Sequence, residues 1–256
     1  MSKNFELMQQ TSKGPEFLPA RQLDPTTPPR YGNGSKNGHR EQECLDREQL
    51  AAEEALRLVQ RVFLLQTQEP PRVVAFAGID HGNGCSRICV NIAETLARNI
   101  KSSVCLVEAN LRSPALPGMF GTTNHHGLTD ALLEDGPIRS FAKLVRGDNL
   151  WLISSGALAA DSANLLNSGR LKSRLAELRE EFEFVLIDLP PLTPYADAIV
   201  LGQMTDGLIL VLEEHLTRRE AARTVTQNLR ASNIRILGGV LNKRTFPIPD
   251  SVYRRV

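Results

Sequence analysis

Residues 73–97 read VVAFAGIDHGNGCSRICVNIAETLA and join an apolar run to a glycine-rich segment and then to a helical pattern. The apolar run has the length of a buried strand, and the apolar side chains after residue 85 recur at helical spacing. Where a strand passes through a glycine-rich loop into a helix, the backbone N–H groups of the loop and of the helix N-terminus can surround a phosphate. The stretch therefore predicts an α/β fold with a phosphate-binding loop.

Further apolar runs alternate with helical segments through the rest of the chain. Their apolar residues are continuous rather than alternating, which is typical of parallel strands covered on both faces by helices. We therefore expect a mostly parallel central sheet between two layers of helices. The runs are SVCLVEA, LWLISSG, FEFVLIDLPP, DGLILVLEE and RILGGVLN.

Charge and composition argue against several classes of protein. The 256 residues carry 30 basic and 29 acidic side chains, and the resulting net charge of +1 gives no support to nucleic-acid binding. No stretch approaches the ~18 consecutive apolar residues of a membrane span, and the opening residues, MSKNFELMQQTSKG, lack the apolar core of a secretory signal. Because the four cysteines are too scattered for a disulfide framework, we expect a cytoplasmic protein.

The chain divides into a tail and one folded domain. Residues 1–45 contain five of the 15 prolines and show no helical or strand period, so we expect a disordered N-terminal tail. Residues 46–256 are expected to form the domain. It would begin with a helix over residues 46–69, whose apolar residues recur at helical spacing and which two prolines at 70–71 would end.

The glycine-rich loop matches the Walker A pattern, G-x-x-x-x-G-K-[ST], in part. In the aligned octet, residues 79–86, Gly84 and Ser86 match, whereas Ile79 stands at the first glycine and Cys85 at the lysine. Taken alone, the loop is better explained as a strand-to-helix turn without a ligand, and only the motifs elsewhere in the chain favour a phosphate site. The candidate nucleotide contacts in it are Gly82, Asn83, Gly84, Cys85 and Ser86.

Polar side chains end other predicted strands. Glu108 follows the run VCLV, Asp188 ends FVLID and Asn242 ends GVLN. In an open parallel sheet, ligands bind outside the carboxyl ends of the strands, so these side chains should lie near the loop. A carboxylate there suits Mg²⁺ beside a phosphate. We therefore predict Asp188 as a metal contact and Asn242 as a nucleotide contact.

Together these motifs resemble the bacterial tyrosine kinases of the CpsD/CapB type, polysaccharide-biosynthesis autokinases among the MinD/ParA-like P-loop ATPases. The family's GEGKS is GNGCS here at residues 82–86, its LIDADLRRP is LVEANLRSP at 106–114, and its YDxVIIDTPP is FEFVLIDLPP at 182–191. The resemblance covers about residues 50–256. It implies a three-layer α/β/α P-loop NTPase fold that binds ATP or ADP with Mg²⁺, with Ser86, Glu108 and Asp188 as the metal contacts.

The chain departs from this family at residues that carry the chemistry. The family's loop lysine is Cys85, and its second Walker A′ aspartate is Asn110, which has no charge. The first Walker A′ aspartate, which the resemblance assigns to Mg²⁺ and to activation of the tyrosine hydroxyl, is Glu108. We therefore expect weak or lost nucleotide binding and impaired catalysis, with Glu108 and Asp188 as the remaining catalytic carboxylates.

One further family feature, the tyrosine-rich tail, is reduced in this chain, and another, a charged helix, is kept in part. The tyrosine-rich tail of such kinases is reduced to Tyr253, which is either a phosphoacceptor or an exposed aromatic. The family's Glu-x-x-Arg-x-x-Arg helix, linked to oligomer contacts, keeps Glu54 and Arg57, so a homo-oligomer could form through the leading helix.

Three functions remain open on the sequence. The first is a degenerate kinase-like protein that docks on a membrane polysaccharide co-polymerase (the chain-length regulator) or on a partner kinase, peripherally at the inner face of the membrane. The second is an active ATP-dependent tyrosine autokinase, and the third is a MinD/ParA-like positioning ATPase. The missing lysine favours the first over the second, and the resemblance of the motifs to kinases favours both over the third.

Overall fold

A nine-stranded sheet forms the centre of the molecule. The computed structural model describes residues 6–11, 14–17, 49–64, 70–157, 165–166 and 169–243. The strands are β1 (Glu6–Thr11), β2 (Gly14–Phe17), β3 (Val73–Gly78), β4 (Val104–Glu108), β5 (Lys143–Arg146), β6 (Leu150–Ile153), β7 (Phe184–Asp188), β8 (Gly207–Glu213) and β9 (Ile236–Asn242).

The strand order is β2-β1-β9-β8-β3-β7-β4-β6-β5. From β9 to β6 all neighbouring strands are parallel, whereas β1, β2 and β5 pair antiparallel at the two edges. The predicted α/β class with a mostly parallel sheet is therefore confirmed. The sheet order also places β3, which leads into the glycine-rich loop, between β7 and β8.

Helices cover both faces of the sheet. Alternate residues of β3 belong to different apolar clusters: Ala75 lies in the cluster under α4 and α5, and Phe76 lies in the cluster under α1 and α2. This two-sided burial is the three-layer arrangement that the continuous apolar runs predict. The helices are α1 (49–59), α2 (Cys85–Asn99), α3 (Leu116–Phe120), α4 (Leu128–Leu133), α5 (Gly169–Glu181), α6 (Asp197–Gly202) and α7 (Arg219–Ala231).

The leading helix packs on the sheet. It begins at residue 49 and continues beyond residue 59 as a π-helix, Gln60–Leu64, while the predicted residues 46–48 and 65–69 lie outside the described residues. Its inward side chains are buried, and the Phe63 ring meets Phe184 of β7 edge-on with centroids 5.6 Å apart. Within the described residues, no helix is long and apolar enough to cross a membrane.

Two strands lie within the segment that the sequence predicts to be without regular structure. β1 pairs antiparallel with β9, and β2 pairs with β1. Without β1, the outer backbone N–H and C=O groups of β9 would form an unpaired sheet edge. This edge provides β1 with a pairing partner that the composition of residues 6–11 does not reveal. Residues 18–48 lie outside the described residues, so the disordered tail stays a prediction there.

Candidate nucleotide-binding site

The loop between β3 and α2 has the shape that its glycines permit. Gly82 and Gly84 both have left-handed backbone angles, with φ near 80°. The Asn83 side-chain oxygen accepts a hydrogen bond from the N–H of Asp80 at 2.8 Å and so closes the turn. A methyl group on Gly78 would lie 2.9 Å from that same oxygen, so glycine is needed where the strand enters the loop. The loop delivers the N-terminus of α2 to the carboxyl edge of the sheet.

Asp188 is a buried carboxylate at the end of β7, next to the loop. It is 1% exposed, and neither of its oxygens has a hydrogen bond of normal geometry to a described residue. Burial raises the pKa of Asp188 to about 7, the Glu108 charge adds to this rise, and the nearby Ser86 hydroxyl and Cys85 thiol oppose it. A buried carboxylate without a hydrogen-bond partner fits a cation, because a cation would offset the cost of its burial.

Cys85 is the first residue of α2 and occupies the lysine position of the Walker A pattern. Burial raises the pKa of its thiol well above the ordinary value, and the neighbouring Asp188 carboxylate raises it further. The thiol is therefore neutral at physiological pH. At this position the loop carries no positive charge.

Glu108 lies opposite Asp188 in the β4–β7 register but is engaged elsewhere. One carboxylate oxygen accepts hydrogen bonds from the N–H groups of Ala115 and Leu116, and the other accepts one from Ser155 at 3.3 Å. Burial raises the pKa of Glu108, although these three N–H groups partly offset the rise. The carboxylate thus holds the start of α3 and the segment after β6 in place. Its assignment as a metal ligand and catalytic group stays a prediction.

Asn242 reaches the loop from the end of β9, as its strand-end position predicts. Its side-chain Nδ2 donates a hydrogen bond to the Asn83 carbonyl oxygen at 2.7 Å. A methyl group on Gly84 would lie 2.4 Å from that nitrogen, so the close approach requires glycine. Asn242 therefore fixes the back of the loop through its amide group.

Two charged residues lie beside Asn242, and neither is among the candidate site residues predicted from the sequence. Lys243 Nζ donates a hydrogen bond to the Gly82 carbonyl oxygen at 2.7 Å and forms an ion pair with Glu213 Oε1 at 2.9 Å. Glu213 ends β8, which lies between β9 and β3. Glu213 and Lys243 both follow apolar strands, which could have pointed to them, but only the strand order brings them to the loop.

A second polar group lies at the other side of the loop. The Tyr195 ring meets His81 edge-on with centroids 5.6 Å apart, and the Arg112 guanidinium lies 4.6 Å from the Tyr195 ring centroid. Arg112 also forms an ion pair with Asp197 at 3.0 Å. His81 and Arg112 follow apolar strands within four positions, whereas Tyr195 and Asp197 come seven and nine positions after β7, so the sequence does not reveal their mutual contact.

The predicted metal contacts Ser86, Glu108 and Asp188 differ in the hydrogen bonds that their side chains already make. No three His, Cys, Asp or Glu side chains converge as a metal cluster in the part of the chain that the structure describes. Mg²⁺ commonly uses one or two carboxylates and completes its coordination with water and phosphate oxygens. Asp188 and the Ser86 hydroxyl fit that use, whereas the Glu108 oxygens already accept backbone N–H groups.

The residues predicted to make oligomer contacts and to accept phosphate stay predictions. Glu54 and Arg57 form an ion pair with each other along α1, so a role in contacts between copies stays a prediction. Tyr253 lies outside the described residues.

The chain is similar to curated and solved tyrosine kinases, although no family model matches it. It is 30% identical over 161 residues to "Tyrosine-protein kinase YwqD" of Bacillus subtilis (strain 168), covering 63% of this chain and 68% of that protein. It is 28% identical over 175 residues to "Succinoglycan biosynthesis transport protein ExoP" of Rhizobium meliloti (strain 1021), covering 67% of this chain but 22% of that protein.

Two solved structures share the fold. The VpsO kinase domain has a TM-score of 0.69 and 26% identity, and the match covers 77% of this chain and 98% of that one. The septum site-determining protein MinD of Pyrococcus horikoshii OT3, solved with Mg-ADP, has a TM-score of 0.57 and 20% identity, and the match covers 66% of this chain and 68% of that one. The predicted P-loop NTPase fold and the predicted resemblance to bacterial tyrosine kinases are both confirmed.

Proposed function

Because the chain belongs to the family of bacterial tyrosine-protein kinases, we propose that it is a catalytically impaired member that binds nucleotide and regulates polysaccharide biosynthesis. The observation that carries this proposal is the partly buried, neutral Cys85 at the position of the family's loop lysine. The fold, Asp188 and Ser86 are kept, whereas the charge that phosphoryl transfer needs at the loop is not.

Nucleotide binding is supported by groups that do not depend on the lysine. The backbone N–H groups of residues 83–86 would hold the phosphates at the N-terminus of α2, and Asn242 would lie beside them. Asp188 and Ser86 would hold Mg²⁺, which when bound neutralises phosphate charge. The buried oxygens of Asp188 support this assignment, since no described residue gives them a hydrogen bond of normal geometry.

Impaired turnover is supported by two further features. Phosphoryl transfer depends on positioned positive charge, and removing one stabilising group from a transition state costs roughly 10²–10³ in rate. Asn110 lacks the charge of the second Walker A′ aspartate, and the Glu108 oxygens are engaged by backbone N–H groups. These losses affect the transition state more than the bound ground state, because the loop N–H groups remain.

The proposal of a regulatory partner role is supported by the family and by the names of the relatives. ExoP is named a succinoglycan biosynthesis transport protein, and this chain spans about a fifth of its length. We propose that the chain docks on a membrane polysaccharide co-polymerase or on a partner kinase, and so lies at the inner face of the membrane. Exposed Arg57 and neighbouring Glu54 on α1 are the proposed contacts of a homo-oligomer.

Nucleotide affinity measured with and without Mg²⁺ tests the proposal. The purified chain should bind ATP and ADP, and Mg²⁺ should strengthen the binding through Asp188 and Ser86. Asp188→Ala should remove the Mg²⁺ response, while Asp148→Ala, in an exposed turn, should keep it. Wild-type protein that binds no nucleotide would reject the nucleotide-binding part of the proposal, and an Asp188→Ala protein with an intact Mg²⁺ response would reject the metal assignment.

A further inference from the structure

We propose that Lys243, at the end of β9, supplies to a bound nucleotide's phosphates the positive charge that Cys85 lacks. This inference rests on the proposed nucleotide binding and adds a residue to that site. The positive charge would then come from the end of β9, two strands away from β3 in the sheet, rather than from the loop itself.

The contacts of Lys243 place its ammonium group against the phosphate loop. Nζ lies 2.7 Å from the carbonyl oxygen of Gly82, between the ends of β9 and β3. The backbone of Lys243 has a φ of 57°, a left-handed conformation that is unfavourable for a residue with a side chain. Its two polar contacts, to Gly82 and Glu213, give a reason for the chain to hold that conformation.

The surroundings of Lys243 leave the ammonium able to serve a ligand. Its side chain is 38% exposed, while the Glu213 side chain is 9% exposed. A lysine has a flexible four-carbon stem and three donors, and its two protein contacts leave a third donor for a phosphate oxygen. Glu213 holds the charge at the loop and would also compete with a phosphate for it.

Other cations near the loop are less suited to this role. Arg87 is exposed on α2, and Arg112 is engaged by the Asp197 carboxylate and the Tyr195 ring. Lys243 differs from both because it contacts the backbone of the loop itself. We therefore assign the phosphate-neutralising role to Lys243.

Two alternatives make different predictions about Lys243. If its charge acts on phosphate, charge removal should weaken ATP and ADP binding but not adenosine binding. If Lys243 acts only as a latch for the loop, its hydrogen bond to Gly82 matters and its charge does not. Glutamine keeps a donor and removes the charge, so Lys243→Gln separates the two.

The experiment measures the binding of Mg-ATP, Mg-ADP and adenosine to the full chain and to its variants. Lys243→Gln should weaken ATP and ADP binding by about tenfold to a hundredfold, the usual range for one hydrogen bond to a charged group. Lys243→Arg should largely restore binding. The exposed Lys101→Gln is the matched control and should bind like the wild type.

Glu213→Gln should change the ATP affinity in the opposite direction to Lys243→Gln. It releases Lys243 from its ion pair, so ATP binding should strengthen several-fold if Lys243 serves the phosphate. A latch would be loosened by the same change, and ATP binding would weaken. Circular dichroism and the thermal midpoint of each variant establish that it is folded before its affinity is compared.

The possible results separate this inference from the proposed function. Wild-type protein that binds no ATP would reject both. ATP binding that is equal in wild type and Lys243→Gln would reject the Lys243 assignment alone, as would equal weakening of ATP and adenosine binding.

Discussion

Asn242 and Asn83 are hydrogen-bonded across the carboxyl edge of the sheet, from Nδ2 of the first to the carbonyl oxygen of the second at 2.7 Å. The two residues are 159 positions apart in the chain, so the bond ties the last described strand to the phosphate loop. Asn83 in turn holds the N–H of Asp80 through its side chain. The shape of the loop therefore depends on β9 as well as on its own glycines.

Asn242→Ala should loosen the loop and weaken nucleotide binding. It leaves the buried Asn83 carbonyl without its donor, which should cost about 1–2 kcal/mol in the free energy of unfolding. Chemical denaturation and ATP titration measure the two effects. Asn228→Ala, at an exposed position of α7, is the control and should change neither; an Asn242→Ala protein with unchanged stability and affinity would contradict the structural role.

Asp188→Asn should stabilise the protein when Mg²⁺ and nucleotide are absent. The wild-type carboxylate is buried and has no hydrogen bond of normal geometry to a described residue, so its charge costs free energy in the folded state. We expect the thermal midpoint at pH 8 to rise by several degrees, since about 1 kcal/mol shifts the midpoint of a domain of this size by roughly 2–4 °C. Asp148→Asn should leave it unchanged, and a lower midpoint for Asp188→Asn would show that the carboxylate is satisfied within the protein.

The stability of the wild type should depend on Asp206 at acid pH. Burial raises the pKa of this carboxyl, but hydrogen bonds from Arg179 and from the N–H groups of Val73 and Arg72 outweigh it and lower the pKa below its ordinary value. A lowered pKa contributes stability that is present above the unfolded pKa near 4 and lost as pH falls through the folded value.

Asp206→Asn should therefore cost about 1–2 kcal/mol at pH 7 and progressively less below pH 4. Denaturation at a series of pH values measures the difference between the two proteins. Asp135→Asn removes a fully exposed carboxylate and should show no such trend. A difference that stays constant down to pH 2.5 would contradict the pKa assignment.

Cys85→Lys should strengthen ATP binding and create measurable hydrolysis. It restores a cation at the usual loop position beside Asp188, and one hydrogen bond to a charged group is worth about tenfold in affinity. Cys85→Ala controls for loss of the thiol alone and should bind ATP like the wild type. If Cys85→Lys binds ATP no better than the wild type, the loop is not the phosphate site or is blocked.

The residues that were predicted from the sequence are those with a local signature. Asp188, Asn242 and the glycine-rich loop each end or follow a continuous apolar run, and parallel strands deliver such residues to one edge. The environment of Glu108 could not be predicted in this way. Its partners, the backbone N–H groups of residues 115, 116 and 155, are supplied by loops whose approach depends on the whole fold.

The contact of Lys243 with the loop could not be predicted from the sequence either. Its neighbour Asn242 was predicted from its strand-end position, but the contact of Lys243 with Gly82 depends on β8 and β9 lying next to β3. Apolar runs reveal that strands exist, yet they carry no information about the order in which the strands pair. The contact of the Lys243 ammonium with the loop therefore has no signature at position 85.

The most direct test of the account is phosphotyrosine formation by the purified chain with labelled ATP and Mg²⁺, under conditions in which ATP binding is measured in parallel. If the chain is catalytically impaired, the wild type should bind ATP and form little or no phosphotyrosine. Robust labelling of Tyr253 that Asp188→Ala abolishes would contradict it and would establish the chain as an active autokinase.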